Sequence, residues 1–265
     1  MKVGIFGLGS VGRDVAKALV GGIDGLTLAA AAAKNEARAS DYLRSLGVDV
    51  PVVDAARMAA MCDIVLECAP AAVFEEVARA AVGQGRVFMP LSVGGLLRFP
   101  DLVQAAQVSG GRIVVPTGAL LGLDAVRAAA EGKIDTVRVV TRKPPKGLMG
   151  APYLAEHGIE LEGLTEPLQI FKGFARAGVA GFPANVNVVA ALSLAGIGPD
   201  RTELEIWADP TVTRNTHRIE LESDSARMTM SIENVPSENA ATGRITALSA
   251  IACLRGLISP LKVGS

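Results

Sequence analysis

The sequence of 265 residues contains only two histidines, and they stand in different surroundings. His217 follows a loop that also carries Arg214 and leads into an alternating, strand-like stretch, whereas His157 lies in a polar turn. Histidine can exchange a proton near neutral pH without a pKa shift, and arginine can hold a carboxylate through two hydrogen bonds. His217 is therefore the candidate for proton transfer on an anionic substrate, although the position also suits a hydrogen-bonded structural residue. We interpret His157 as a surface residue.

A glycine-rich segment near the start of the chain has the spacing G-x-G-x-x-G. It follows the apolar run Lys2 to Phe6 and precedes apolar residues at helical spacing, which is the context that makes this motif informative. Gly7 permits a tight turn, Gly9 lets a pyrophosphate approach the backbone, and Gly12 lets helix and strand pack closely. The phosphates would meet the unpaired N–H groups at the start of the helix. The predicted dinucleotide contacts are Gly7, Gly9, Ser10, Val11 and Gly12.

The end of the second predicted strand, Leu26 to Ala33, bears on which dinucleotide the motif accepts. An NAD-preferring site carries Asp or Glu about 20 residues after the glycines, where it holds the ribose 2′-hydroxyl. Here that place is taken by Lys34 and Asn35, with Arg38 close behind. No carboxylate repels a 2′-phosphate and two cations attract one, so the sequence predicts that NADP is used as well as NAD. The alternative interpretation is that Lys34 and Arg38 are merely solvated charges at the start of a helix.

Strands and helices alternate from the glycine motif to Val115, which is typical of a doubly wound parallel sheet. One of these strands is the apolar stretch that ends at Cys68. Because ligands of such sheets bind beyond the carboxyl ends of the strands, Cys68, Ala69 and Pro70 are predicted to lie near the ribose or the nicotinamide.

Beyond residue 119 the pattern changes to alternating strands with fewer helices. The strands are predicted over 136–142, 202–208, 216–223 and 227–235. A long apolar helix over 242–257 is predicted to pack back on the first domain. We therefore predict an α/β protein with two domains: a Rossmann domain formed by 1–119 plus 240–265, and an α+β substrate-binding and catalytic domain formed by 120–239.

Composition and charge exclude several classes of protein. Half of the residues are hydrophobic and the formal net charge is −1, so nothing favours binding to nucleic acid or to an anionic membrane surface. The longest apolar runs are far shorter than the roughly 20 residues that span a bilayer. The three cysteines, Cys62, Cys68 and Cys253, have no metal-binding or redox spacing, so no metal site is predicted. A cytoplasmic enzyme with reduced thiols is the simplest interpretation.

Five segments together resemble the L-aspartate dehydrogenase family. The first, Gly4 to Gly9, is common to many dinucleotide-binding proteins. The others are more specific: Pro-Thr-Gly-Ala at 116–119, Phe-Pro-Ala-Asn-Val-Asn-Val at 182–188, Asp-Pro at 209–210 running on to Asn-Thr-His at 215–217, and Glu-Asn-Val-Pro-Ser-Glu-Asn at 233–239. The resemblance covers nearly the whole chain.

This resemblance implies oxidative deamination of L-aspartate to iminosuccinate with NAD or NADP as the hydride acceptor. The imine hydrolyses to oxaloacetate and ammonia, or can enter NAD biosynthesis. The resemblance further implies that His217 is the active-site histidine, that Ala119 and Asn187 contact the cofactor, and that the second domain also forms a homodimer. The two substrate carboxylates need cationic partners, although each candidate could also be a solvated surface charge. The candidates are Arg142, Lys143, Lys146 and Arg214.

Other functions are compatible with parts of the sequence. An acylating semialdehyde dehydrogenase needs a nucleophilic cysteine beside the nicotinamide, and no cysteine occurs between Cys68 and Cys253. An imine or keto-acid reductase of the dihydrodipicolinate-reductase kind needs the same cofactor and a similar cationic pocket, so it stays open. A non-catalytic NADP-binding sensor also stays open, because fold likeness does not fix activity.

Overall fold

The computed structural model describes residues 1–183, 185–237 and 243–264. The chain forms two compact units. One unit combines Met1–Pro116 with Ala247–Leu261, and the other is built mainly from Thr117–Thr246. The first unit therefore takes its residues from both ends of the sequence. Within the described ranges, no helix is both long and apolar enough to cross a membrane.

The first unit is a parallel sheet with helices between its strands. In chain order its elements are β1 (Lys2–Phe6), α1 (Ser10–Val20), β2 (Thr27–Ala32), α2 (Glu36–Ser45), α3 (Ala55–Met61), β3 (Ile64–Glu67), α4 (Phe74–Gly83), β4 (Val87–Pro90), α5 (Gly94–Arg98), α6 (Asp101–Ser109) and β5 (Arg112–Ile113). The strand order is β2-β1-β3-β4-β5, and every pairing is parallel. The predicted doubly wound sheet is confirmed, and its order reverses at β1, between β2 and β3.

The second unit is a five-stranded mixed sheet with helices. Its elements are α7 (Leu123–Ala130), β6 (Ile134–Lys143), α8 (Pro152–Glu156), β7 (Leu168–Phe174), α9 (Ala175–Gly181), α10 (Asn187–Ala195), β8 (Thr202–Ala208), β9 (Asn215–Ser223) and β10 (Arg227–Asn234). The strand order is β10-β9-β6-β8-β7. The central strands β6 and β8 run parallel and the other pairings are antiparallel. The sheet is therefore mixed.

Side chains alternate between buried and more exposed along the central strands of the second sheet. On β6, Val137, Val139, Thr141 and Lys143 are buried, and on β9 the buried residues include Asn215 and His217. Alternate residues of a strand point to opposite faces of its sheet. We call the face that carries these buried residues the covered face. Helices α9 and α10 both pack against β8.

The last helix, α11 (Ile245–Ile258), contributes to the core of the first unit. Its residues Ala250 and Leu254 are fully buried in the same apolar cluster as Val15 and Leu19 of α1. The prediction that this helix packs on the first domain is confirmed. The predicted start of α11 at residue 242, like residues 184, 238 and 239 of the family-like segments, lies outside the described residues.

Short elements also occur between the longer strands and helices of the first unit. Helix α3 begins after Asp54, whose side chain accepts a hydrogen bond from the Arg57 N–H at 2.8 Å and so caps the helix. Between α2 and α3, Val52 forms a single bridge with Ala31 of β2. Elements this short bury too few apolar residues to give a clear periodic pattern.

Candidate active site and nucleotide-binding loop

The glycine loop between β1 and α1 has the shape that a bound pyrophosphate requires. Gly7 has a φ of +111°, and a Cβ there would lie 2.6 Å from the Cys68 carbonyl oxygen. At Gly12 a Cβ would lie 1.9 Å from the Gly7 carbonyl oxygen. At Gly9, in contrast, a Cβ would meet no described atom within 4 Å, and this residue gives α1 no side-chain cap. The first turn of α1 is thus open to an anion, so the residues present fit the phosphates of a dinucleotide.

Replacement by alanine should have different effects at Gly9 and at Gly12. Gly9→Ala should fold like the wild type, because its Cβ enters space that the protein leaves open. It should weaken nucleotide binding about ten- to a hundredfold, the usual cost of overpacking by about 1–3 kcal/mol. Gly12→Ala should lower the thermal midpoint because its Cβ overlaps backbone. Calorimetric titration and thermal melts check both, and normal nucleotide affinity in Gly9→Ala would contradict this account of the loop.

The turn after β3 adjoins the glycine loop at the point where the strand order reverses. The Cys68 thiol lies 3.0 Å from the Gly7 carbonyl oxygen, to which it donates, and the Cys68 N–H donates to the Phe6 carbonyl at 2.9 Å. Burial raises the pKa of the Cys68 thiol, so the thiol stays neutral. The structure therefore brings Cys68 together with the predicted glycines, and Ala69 and Pro70 follow in the same turn.

The end of β2 presents no carboxylate in the position that NAD-preferring sites use. Lys34 and Arg38 are exposed there. The Asn35 side chain accepts a hydrogen bond from the Arg38 N–H at 2.9 Å and thereby caps α2. One predicted cofactor residue thus also has a structural role in fixing the start of this helix.

In the second unit, His217 lies on the covered face of the sheet. It is 2% exposed, and its Nδ1 lies 3.0 Å from the Thr141 hydroxyl. The two residues are directly paired across β6 and β9. The Thr141 hydroxyl can either donate to this nitrogen or accept from it, and in both cases it fixes the orientation of the ring.

Lys143 lies two residues beyond Thr141 on the same face and is also 2% exposed. Its ammonium donates a hydrogen bond to the Asn185 side-chain oxygen at 2.9 Å. Among the ion pairs of the described residues, none involves Lys143. Burial lowers the pKa of Lys143 to about 8. A buried cation that is hydrogen-bonded to a neutral amide is suited to bind an anion.

The surroundings of His217 change its acid–base character. Burial, and then the positive charge of Lys143, lower the pKa of His217 to about 3. The expectation that His217 would exchange a proton without a pKa shift is therefore wrong. In the free protein the imidazole is neutral at every pH near neutrality, and it can accept a proton only when something offsets the burial or the nearby charge.

The other predicted cations are not brought together with His217. Arg142 lies on the opposite face of the sheet, where its guanidinium is 3.0 Å from the Asp209 carboxylate and 4.6 Å from the centre of the Trp207 ring. Arg214 is exposed and lies 3.9 Å from the Glu233 carboxylate. Lys146 is also exposed. Lys143 is thus the predicted cation that shares the covered face with the histidine.

The two residues implied as cofactor contacts in the second unit are held at defined places. The Ala119 carbonyl oxygen accepts a hydrogen bond from the Asn234 side chain at 2.9 Å, and Asn234 pairs with Asn215 across β10 and β9. Asn187 is the first residue of α10. His157 is exposed and stacks on Tyr153 with 3.8 Å between ring centres, as predicted for a surface residue.

Both halves of the chain match models of known protein families. Residues 124–257 match the family model described as "Aspartate dehydrogenase, C-terminal", which covers half of the chain. The chain belongs to the L-aspartate dehydrogenase family. Residues 7–116 match the model described as "Homoserine dehydrogenase, NAD binding domain".

Curated relatives support this membership over the full length. "L-aspartate dehydrogenase 3" of Bordetella bronchiseptica is 52% identical, over 99% of this chain and 97% of its own. The L-aspartate dehydrogenase of Bradyrhizobium diazoefficiens is 53% identical, over 100% and 94%. The crystal structure of aspartate dehydrogenase from Thermotoga maritima superposes with a TM-score of 0.73 at 22% identity, over 100% and 99% of the two chains, and shows that the fold is shared.

Proposed function

We propose that this protein catalyses the NAD(P)-dependent oxidative deamination of L-aspartate to iminosuccinate and the reverse reductive amination. The imine hydrolyses to oxaloacetate and ammonia, or can supply NAD biosynthesis. The observation that carries the proposal is the pair formed by Lys143 and His217, a buried cation and a buried neutral base on one face of a family member's second domain. An anionic substrate with an amino group needs both.

Lys143 would bind one carboxylate of the substrate. Its ammonium is withdrawn from water and held by Asn185, so it is already positioned before the substrate arrives. A charge-assisted hydrogen bond to a carboxylate would offset the cost of burying the ammonium. Lys146 and Arg214, which were also predicted to bind a carboxylate, are exposed and would contribute much less to substrate binding, because solvent screens their charges.

His217 would accept the proton that the substrate ammonium must lose before its α-carbon can release a hydride. The Thr141 hydroxyl holds the ring in one orientation for this transfer. A substrate carboxylate paired with Lys143 would offset the charge that lowers the pKa of His217, and so would make the imidazole a better base when substrate is bound. A nicotinamide bound by the first unit supplies the acceptor for the hydride. In the later hydrolysis, His217 would orient the water that attacks the imine.

For the cofactor we propose that both NADP and NAD are used, with the exposed Lys34 and Arg38 attracting the 2′-phosphate. Lys34→Asp should weaken NADP binding relative to NAD binding by about tenfold, because it replaces attraction of the phosphate by repulsion. Lys17→Asp, which makes the same charge change at an exposed position in the last turn of α1, should leave the ratio unchanged. Dissociation constants for both nucleotides test this, and equal ratios in wild type and Lys34→Asp would exclude a role for Lys34.

We also propose that the protein is cytoplasmic and acts as a homodimer through its second unit, as its resemblance to the family implies. Size-exclusion chromatography with light scattering measures the molar mass directly. A monomer at working concentration would contradict this part of the proposal.

The activity is tested by following NADPH or NADH at 340 nm with oxaloacetate and ammonium. Oxidation that requires ammonium is the expected result. Oxidation of the nucleotide without ammonium would instead indicate a keto-acid reductase, and tight nucleotide binding without turnover of any amino acid would indicate a sensor.

A further inference from the structure

Glu67, the last residue of β3, carries a fully buried carboxylate to which the proposed reaction gives no role. One of its oxygens accepts hydrogen bonds from the Ala69 N–H at 2.9 Å and the Ser92 hydroxyl at 3.0 Å. The other oxygen accepts from the Ser92 N–H at 3.0 Å. Glu67 thereby joins the turn after β3 to the turn after β4.

These donors favour the ionised form of the carboxyl group. Burial raises the pKa of Glu67 above its ordinary value, and the hydrogen bonds from Ser92 and Ala69 reduce that rise without cancelling it. Two of the donors are backbone N–H groups, which can only donate and therefore face a carboxylate better than a protonated acid. The Ser92 hydroxyl also lies 3.1 Å from the Ala69 carbonyl, so it can donate to either acceptor.

When Glu67 is ionised, no cation within the described part of the chain compensates its charge, because the ion pairs there do not include this residue. A buried anion held only by neutral donors is stabilised when a positive charge approaches. Glu67 also lies in the strand next to β1, at the reversal of strand order, beyond which such sheets bind their ligands. The position of Glu67 and the negative charge of its carboxylate thus both bear on nucleotide binding.

The nicotinamide ring is cationic in the oxidised cofactor and neutral in the reduced one. We propose that Glu67 discriminates between these two states, its buried carboxylate strengthening binding of the oxidised cofactor relative to the reduced one. The inference rests on the proposed use of a nicotinamide cofactor by this unit. Glu67 would then determine redox-state specificity and favour reductive amination on the enzyme, because tighter binding of the oxidised form makes the bound couple harder to reduce.

The test measures dissociation constants of NAD⁺ and NADH by calorimetric titration, without turnover. Glu67→Gln keeps the size of the side chain and removes its charge. The ratio of the dissociation constant for NAD⁺ to that for NADH should therefore rise about tenfold, which corresponds to the loss of one partly screened charge. Glu67→Asp is the matched control, since it keeps the charge but shortens the side chain and loosens both turns. It should weaken both nucleotides in the same proportion.

Loss of both affinities in equal proportion in Glu67→Gln would show that the carboxylate is merely structural and would overturn the inference. Failure of the wild type to bind either nucleotide would instead contradict the proposed function. If Glu67→Gln does not fold, the wild-type ratio is measured from pH 8 to pH 5. The strand partners of Glu67, Phe6 and Pro90, carry no titratable group, and Cys68 stays neutral. Protonation of Glu67 should therefore raise the ratio as the pH falls. A constant ratio overturns the inference.

Discussion

Replacing His217 by alanine should lower kcat for aspartate oxidation by about two to four orders of magnitude, the usual contribution of a positioned general base. The imidazole is buried beside Thr141 and Lys143, and no second histidine shares its face in the described chain, so no other imidazole can take over its proton. Affinity for the nucleotide should stay unchanged, because the glycine loop belongs to the other unit. Steady-state kinetics and calorimetric titration measure the two quantities separately.

Removal of a buried ring can also destabilise the protein, and two further variants separate that effect from chemistry. His217→Gln keeps a hydrogen-bonding group for Thr141 but cannot accept a proton, so it should fold well and remain as inactive as His217→Ala. His157→Gln changes the exposed histidine and should retain full activity. A His217→Gln enzyme with near wild-type kcat would rule out the imidazole as the base.

The second large effect is expected at Lys143. Lys143→Met should raise the KM for aspartate about a hundredfold or more, the loss typical when one partner of a buried charge pair is removed. Lys146→Met, which removes an exposed lysine close by in the sequence, should change the KM very little. Inhibition by succinate, a dicarboxylate without an amino group, isolates binding from proton transfer. An unchanged inhibition constant in Lys143→Met would contradict the role of this lysine.

The same lysine makes binding and stability depend on pH. Burial lowers the pKa of Lys143 from 10.5 to about 8, so between these values the unfolded chain binds more protons than the folded one. The free energy of unfolding of the wild type should therefore rise with pH across this window. Lys143→Met lacks this dependence and should be the more stable protein at pH 7, with the difference shrinking as pH rises. Succinate binding to the wild type should weaken above pH 8, where Lys143 loses its charge.

Features that depend on local sequence could be predicted, and features that depend on distant pairing could not. The glycine loop is set by residues within one turn of each other, so Gly7, Gly9 and Gly12 could be assigned their roles directly. Thr141 and His217 are 76 residues apart and meet only because β6 and β9 pair in one register. Sequence alone offered no signal for that register.

The choice between Arg142 and Lys143 illustrates a second limit of sequence patterns. Neighbouring residues on a strand point to opposite faces, so one of these cations had to lie away from His217. The adjacent apolar residues Val139 and Val140 interrupt the alternation that would have marked the covered face. Asn185 and Glu67 were missed for a related reason, since their roles depend on contacts made after folding rather than on any motif.

The last helix has a consequence for the order in which the protein forms during synthesis. Ala250 and Leu254 complete the apolar cluster of the nucleotide-binding unit, yet the ribosome makes them only after Thr117–Thr246 of the second unit. We expect Met1–Pro116 to emerge with part of that cluster open to solvent, at a stage when the second unit is not yet translated. We therefore expect nascent chains to be most prone to aggregation midway through translation, when this apolar surface is still uncovered.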